Sequence, residues 1–84
     1  MAQVRIYTTP TCYYCDRAKA LLSKKGVAYE EIDVSVDREA MKHVIASTGR
    51  RTVPQIFIGD FHVGGFDDLY ALEELGRLDS LLGK

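Results

Sequence analysis

With 84 residues this chain has room for one small domain, of a size that buries little more than half of the surface its unfolded form exposes. A hydrophobic fraction of 46% is enough to build a core, and 11 Lys and Arg against 12 Asp and Glu leave a net charge of −1. That balance excludes a basic footprint for nucleic acid and an acidic tail. No apolar run approaches the roughly 18 residues of a membrane helix, so no membrane association is expected. Met1-Ala2-Gln3-Val4-Arg5 lacks a charged leader followed by an apolar stretch, and the expectation is an unexported, cytoplasmic protein.

In chain order, Gln3 to Tyr7 reads as a buried strand, and Thr8-Thr9-Pro10-Thr11 as a polar turn in which Thr11 is available as a helix cap. From Tyr13 to Lys25, Tyr14, Ala18, Leu21 and Leu22 recur at steps of three and four, the stripe of a helix packed on one face; Gly26 ends it. Val27 to Asp33 suits a second strand. Ser35-Val36-Asp37 offers caps for a second helix through Thr48, with Met41, Val44, Ile45 and Thr48 on one face and Gly49 as its stop. Val53 to Ile58 is a third strand, Gly59-Asp60 a hairpin turn and Phe61 to Val63 a fourth strand, which Gly64-Gly65 breaks. Asp67 or Asp68 caps a third helix with Leu69, Leu72 and Leu75 inward, and Leu78, Leu81 and Leu82 form a last turn that closes the core. The order strand, helix, strand, helix, strand, strand, helix predicts a parallel βαβ unit followed by a hairpin and a covering helix, with no internal repeat or linker over residues 1–84.

Cys12 and Cys15, at C-Y-Y-C spacing between the first strand and the first helix, carry the chemistry. At a helix start the unpaired backbone amides and the positive end of the macrodipole favour a thiolate over a thiol. Cys12, on the outside, is the expected nucleophile, and Cys15, inside the first turn, the expected resolving thiol. A depressed pKa raises the thiolate fraction at neutral pH and makes the same sulfur a better leaving group. A structural disulfide over so short a loop would remove little unfolded-state entropy, which favours chemistry over stapling. Two inert core cysteines are the bland alternative. Zinc held by Cys12, Cys15, His43 and His62 is disfavoured because the gaps between these residues do not fit a finger pattern.

Thr11-Cys12-Tyr13-Tyr14-Cys15, Gly49-Arg50-Arg51-Thr52-Val53-Pro54-Gln55 and Gly64-Gly65-Phe66-Asp67-Asp68, with the strand Val4-Arg5-Ile6-Tyr7-Thr8, resemble the short dithiol glutaredoxins of bacterial type from end to end. The resemblance implies an α/β minimal thioredoxin fold: a four-stranded mixed sheet with three or more packed helices. It implies a glutathione-dependent thiol-disulfide oxidoreductase that reduces protein disulfides and glutathionylated proteins and acts as a monomer. It implies a cis peptide before Pro54, which would leave the backbone of Val53, after Thr52, free to pair with the cysteinyl part of glutathione as an added strand. It implies that the amides of Phe66 and Asp67, reached across Gly65, hold the γ-glutamyl carboxylate while the Asp67 carboxylate accepts from the ammonium group. Arg51, and secondarily Arg50, would meet the glycine carboxylate, and Tyr14 would flank the tripeptide. Plain alternatives stand beside these roles: capping for Asp67 and Asp68, a solvated surface for the arginines, packing for Tyr14. His43 and His62 are read as ordinary surface or edge residues.

Two positions depart from the family's pattern. Thr9 stands where a lysine is common, which removes a cation near Cys12 that Arg51 or Arg17 replaces only in part. Tyr13 stands where C-P-Y-C has proline; it restores an amide donor near the sulfur and loosens the turn. Relatives without that proline include binders of a [2Fe-2S] cluster through the nucleophilic cysteine and glutathione. A cluster carrier with Cys12 as ligand is therefore one alternative function, and no metal is expected otherwise. A thioredoxin-like carrier fed by a reductase is the other.

Overall fold

The computed structural model describes residues 3–84, so the Met1-Ala2 end of the leader reading lies outside it. Four strands, β1 (Val4–Thr8), β2 (Tyr29–Asp33), β3 (Gln55–Ile58) and β4 (Phe61–Gly64), form one mixed sheet in the order β2-β1-β3-β4. β1 and β2 run parallel with Val4 opposite Tyr29 and Thr8 opposite Asp33; β3 is antiparallel to β1 and to β4. The helices are α1 (Tyr13–Lys24), α2 (Arg38–Thr48), α3 (Phe66–Glu74) and α4 (Leu78–Leu82). This is the thioredoxin-like architecture that the resemblance implies.

The period-two alternation of β1 divides the core between the two faces of the sheet. Val4 and Ile6 join Ile56 and Ile58 under Ala18 and Leu22 of α1, Leu69 of α3, and Leu78 and Leu82 of α4. On the other face Tyr7 and Phe57 pack with Val34 and with Val44 of α2. Every residue of β3 is buried, as a strand flanked by a neighbour on each side and covered on both faces must be. Lys25 ties the helical layer together through ion pairs of 2.8 Å to both Glu73 and Asp79.

Several local expectations are corrected. Thr11 does not cap α1: the cap is Cys12 itself, in an extended conformation, with its sulfur accepting from the Cys15 amide. The α1 stripe runs Cys15, Ala18, Leu22, and Tyr14, one residue before it and 100° around the helix, is 55% exposed. Neither Asp67 nor Asp68 stands at the cap of α3; that place is Gly65, and Asp68 reaches back from the third helical position to its amide. Leu75 lies past the last turn of α3 and is 69% exposed. β3 starts at Gln55 rather than Val53, beyond Pro54, which has no amide to donate to a ladder.

Candidate active site

The end of β1 aims the chain at the start of α1, and this connection places the two cysteines. Their Cα atoms are 5.1 Å apart and their sulfurs are bonded, so the structure holds the oxidised pair. Cys15 is fully buried while Cys12 is partly exposed. The Cys15 amide donates to the Cys12 sulfur at 3.0 Å, and the same sulfur stands 3.8 Å from the Val53 carbonyl oxygen. One amide of the helix start is thus committed to the outer sulfur. Hydrogen bonds of this kind favour the anionic form once the disulfide opens.

A cleft of about 290 Å³ is lined by Val53, the residue whose carbonyl oxygen faces that sulfur; Cys12 itself is not part of the lining. Thr52, Val53 and Pro54 line one wall, and the Val53–Pro54 peptide is cis. Gly65, Phe66 and Asp67, at the first turn of α3, line a second wall, which meets the first where Gly65 approaches the Pro54 carbonyl, and Tyr14 lines the cleft with its ring stacked 6.3 Å from that of Phe66. The cleft therefore brings together all but one of the binding residues expected from the sequence. Arg51 is exposed and does not line it; its neighbour Arg50 does. Gln55 and Asp68 also line it, and sequence reasoning assigned neither a place there.

The floor near α3 is shaped by one charged contact. Asp68 Oδ2 accepts from the Gly65 amide at 2.9 Å and lies 3.4 Å from Arg50 Nη1. Gly64 has φ of 114°, and a Cβ there would collide with the Asp68 carboxylate, so this position belongs to glycine for two separate reasons. With Asp68 committed to Gly65, the amides of Phe66 and Asp67 have no partner within the helix and face an anion-favouring dipole end. One wall of the cleft is thus a free peptide edge and the other a helix start.

Around the mouth, the Tyr13 ring is 64% exposed. Its hydroxyl accepts from Arg17 Nη1 at 3.0 Å, and the Arg17 guanidinium sits 5.1 Å from the centre of the Phe66 ring. Hydrogen bonding to Tyr13 is the main cause that raises the Arg17 pKa above its ordinary value. Behind the cysteines, buried Thr8 donates to Glu31 at 2.8 Å and Lys19 donates to the same carboxylate at 3.0 Å. The Thr8 bond first, and Lys19 second, hold the Glu31 pKa below its ordinary value.

His62 is also better connected than an edge residue. Its Nε2 lies 2.7 Å from Gln55 Oε1 and its ring 5.0 Å from that of Phe57. His43, by contrast, is exposed on α2. Among the described residues no group of three or more His, Cys, Asp and Glu is placed to hold a metal ion.

A dithiol at a helix start, a cis-proline edge facing it and a second helix start across a cleft are matched by what comparison finds. The glutaredoxin family model matches residues 4–63. Glutaredoxin 3 of Escherichia coli (strain K12) is 55% identical over 82 residues, which cover 98% of this chain and 99% of that protein. The solution structure of glutaredoxin from Brucella melitensis superposes with a TM-score of 0.86 at 57% identity, covering 100% of this chain and 94% of the other. A crystal structure of a buckwheat glutaredoxin-glutathione complex superposes with a TM-score of 0.89 at 32% identity, covering 98% and 77%. The sulfur chemistry available at Cys12 and Cys15 and this full-length kinship lead to one conclusion: the chain belongs to the glutaredoxin family and is a thiol-disulfide oxidoreductase.

Proposed function

We propose that the chain uses glutathione to reduce glutathionylated proteins and protein disulfides in the cytoplasm, acting as a monomer. The observation that carries this reading is the cleft itself. It offers an open peptide edge at Val53 and two free amides at α3 within one space, and the Val53 carbonyl oxygen on its lining stands 3.8 Å from the Cys12 sulfur. An extended tripeptide with a carboxylate and an ammonium group at one end and a thiol in its middle satisfies both walls at once. The neighbouring buckwheat structure, which is a glutathione complex, supports the same ligand class.

In the first step the Cys12 thiolate attacks the glutathione sulfur of a mixed disulfide. A Cys12–glutathione disulfide forms, the old sulfur–sulfur bond breaks, and the protein thiolate leaves and takes up a proton. A second glutathione thiolate then attacks the glutathione sulfur, giving oxidised glutathione and restoring the Cys12 thiolate. With a protein disulfide, Cys15 instead attacks the Cys12 sulfur, releases the reduced protein and closes the disulfide present in the structure, which two glutathiones reopen. Cys15 is buried and reaches only Cys12, so it suits the resolving role. Asp67 is assigned to the ammonium group, Thr52 and Val53 to the cysteinyl backbone, Tyr14 to the side of the tripeptide, and the glycine carboxylate to Arg50 with Arg51 behind it.

As a [2Fe-2S] carrier the chain would contribute one sulfur, Cys12, because Cys15 is fully buried, and the remaining ligands would come from glutathione and a second copy. As a reductase-fed carrier it would leave the α3 wall of the cleft without a purpose. One comparison separates the three readings: glutathione-coupled reduction of a small glutathione mixed disulfide, with iron content measured on the same sample. Fast turnover without iron is the expected result. Absence of glutathione-coupled turnover, with or without bound iron, would overturn the reading.

A further inference from the structure

Gln55 is a polar side chain only 1% exposed in the middle of an otherwise apolar strand. Its amide is fully engaged. Nε2 lies 3.0 Å from the Thr52 carbonyl oxygen and 3.3 Å from the Thr52 hydroxyl, and Oε1 lies 2.7 Å from His62 Nε2. A carbonyl only accepts, so the NH2 end of Gln55 must face Thr52 and the oxygen must face His62. His62 can meet that oxygen only as a donor, which selects the Nε2–H tautomer. Each partner therefore fixes the orientation of the next.

His62 is itself fixed. It stands opposite Phe57 in the β3–β4 register, beside the bulge between Ile56 and Phe57, and its ring lies tilted on the Phe57 ring. Burial first, and the Arg50 charge second, hold its pKa below the ordinary value against the opposing pull of Asp68, so a neutral ring is the form present at neutral pH. Thr52, at the far end of the chain of bonds, immediately precedes Val53, whose carbonyl flanks the Cys12 sulfur.

We propose that His62 and Gln55 are positioning residues that set the Thr52–Val53 peptide edge, on which the tripeptide is read as an added strand, and so tune affinity for the glutathionyl group through that edge. The inference rests on the function proposed above and adds to it two residues outside the thiol pair, one of them on the outermost strand. Loss of the His62 donor leaves Gln55 Oε1 buried without a partner. The side chain shifts to regain one, and the Thr52 segment bonded to its NH2 end loses its fixed position.

The test uses His62→Phe, which keeps an aromatic ring against Phe57 but has no donor, and His62→Gln, whose amide nitrogen reaches about as far as Nε2. For His62→Phe the expected result is a KM for a glutathionylated peptide raised about tenfold with kcat changed far less, the scale of one buried hydrogen bond. His62→Gln should recover most of the loss. In parallel, backbone 15N order parameters of Thr52 and Val53 should fall in His62→Phe and return in His62→Gln. A wild-type KM together with unchanged order parameters in His62→Phe would overturn the proposal, as would a His62→Gln variant no better than His62→Phe in both. If wild type showed no glutathione-dependent turnover while the order parameters still moved as described, the glutathione reading would fall and the positioning role would stand.

Discussion

At the level of single residues, two sulfurs in different surroundings divide the chemistry between them. Cys12 meets the solvent and an amide; Cys15 meets only protein. Cys12→Ser should abolish turnover with every substrate. Cys15→Ser should keep most of the activity toward a small glutathione mixed disulfide, because glutathione can do the resolving, and lose most of it toward a protein disulfide. Equal loss in both variants in the small-substrate assay would contradict the assignment. Glu31 offers a separate test. Its pKa is lower in the folded chain than its ordinary 4.5, so it contributes stability that is fully present above that value and disappears as pH falls through the folded one. The carboxylate is 40% exposed, and water screens it. Glu31→Gln should therefore lower stability by only about 0.5 kcal/mol at pH 7, with the gap from wild type closing on acidification, as urea midpoints across pH would show.

Among elements, the start of α3 does two jobs that can be taken apart. Asp68 closes the helix end on Gly65 and pairs with Arg50, so Asp68→Ala should cost about 1 kcal/mol in denaturant unfolding, in line with the loss of a cap. Asp67 sits one residue earlier, exposed at the cleft. Asp67→Asn gives up only a dipole interaction worth about 0.3 kcal/mol. Its effect should appear instead as a raised KM for glutathione-bearing substrates. Gly64→Ala, which must place a methyl group against the Asp68 carboxylate from a backbone at φ of 114°, should destabilise by more than about 1 kcal/mol. The residue pattern did not reveal the α3 arrangement, because an aspartate in any of the first helical positions looks like a cap. Only the positive φ of Gly64 and the extended Gly65 decide which one closes the end.

For the whole molecule, the parallel βαβ unit, the hairpin and the helical stripes are legible in the residues, whereas the sheet order β2-β1-β3-β4 rests on pairings between distant segments. Leu69, fully buried between α3 and the sheet, should cost about 2–5 kcal/mol as alanine, a large share of the stability of so small a domain. Leu75, read as its companion on the same stripe, should change stability by no more than about 0.5 kcal/mol, because the helix ends before it. What stayed illegible depends on contacts between distant segments. The Gln55–His62 bond joins two strands of a hairpin across a bulge, and nothing local distinguishes it from an edge histidine and a strand glutamine. The choice between Arg50 and Arg51 depends on side-chain directions in an irregular segment, where no period exists to be read. The motifs that did speak, C-Y-Y-C, T-V-P and G-G-F-D-D, did so because each binds a backbone geometry to a chemical use.

The central claim is that the backbone at the start of α1 ionises the Cys12 sulfur near neutral pH. The most direct measurement is the rate of Cys12 alkylation in the reduced protein as a function of pH, with Cys15→Ser as a control for the second thiol. An apparent pKa well below the ordinary cysteine value of about 8.5 is the predicted result. A value at or above it, with slow alkylation at pH 7, would contradict the account.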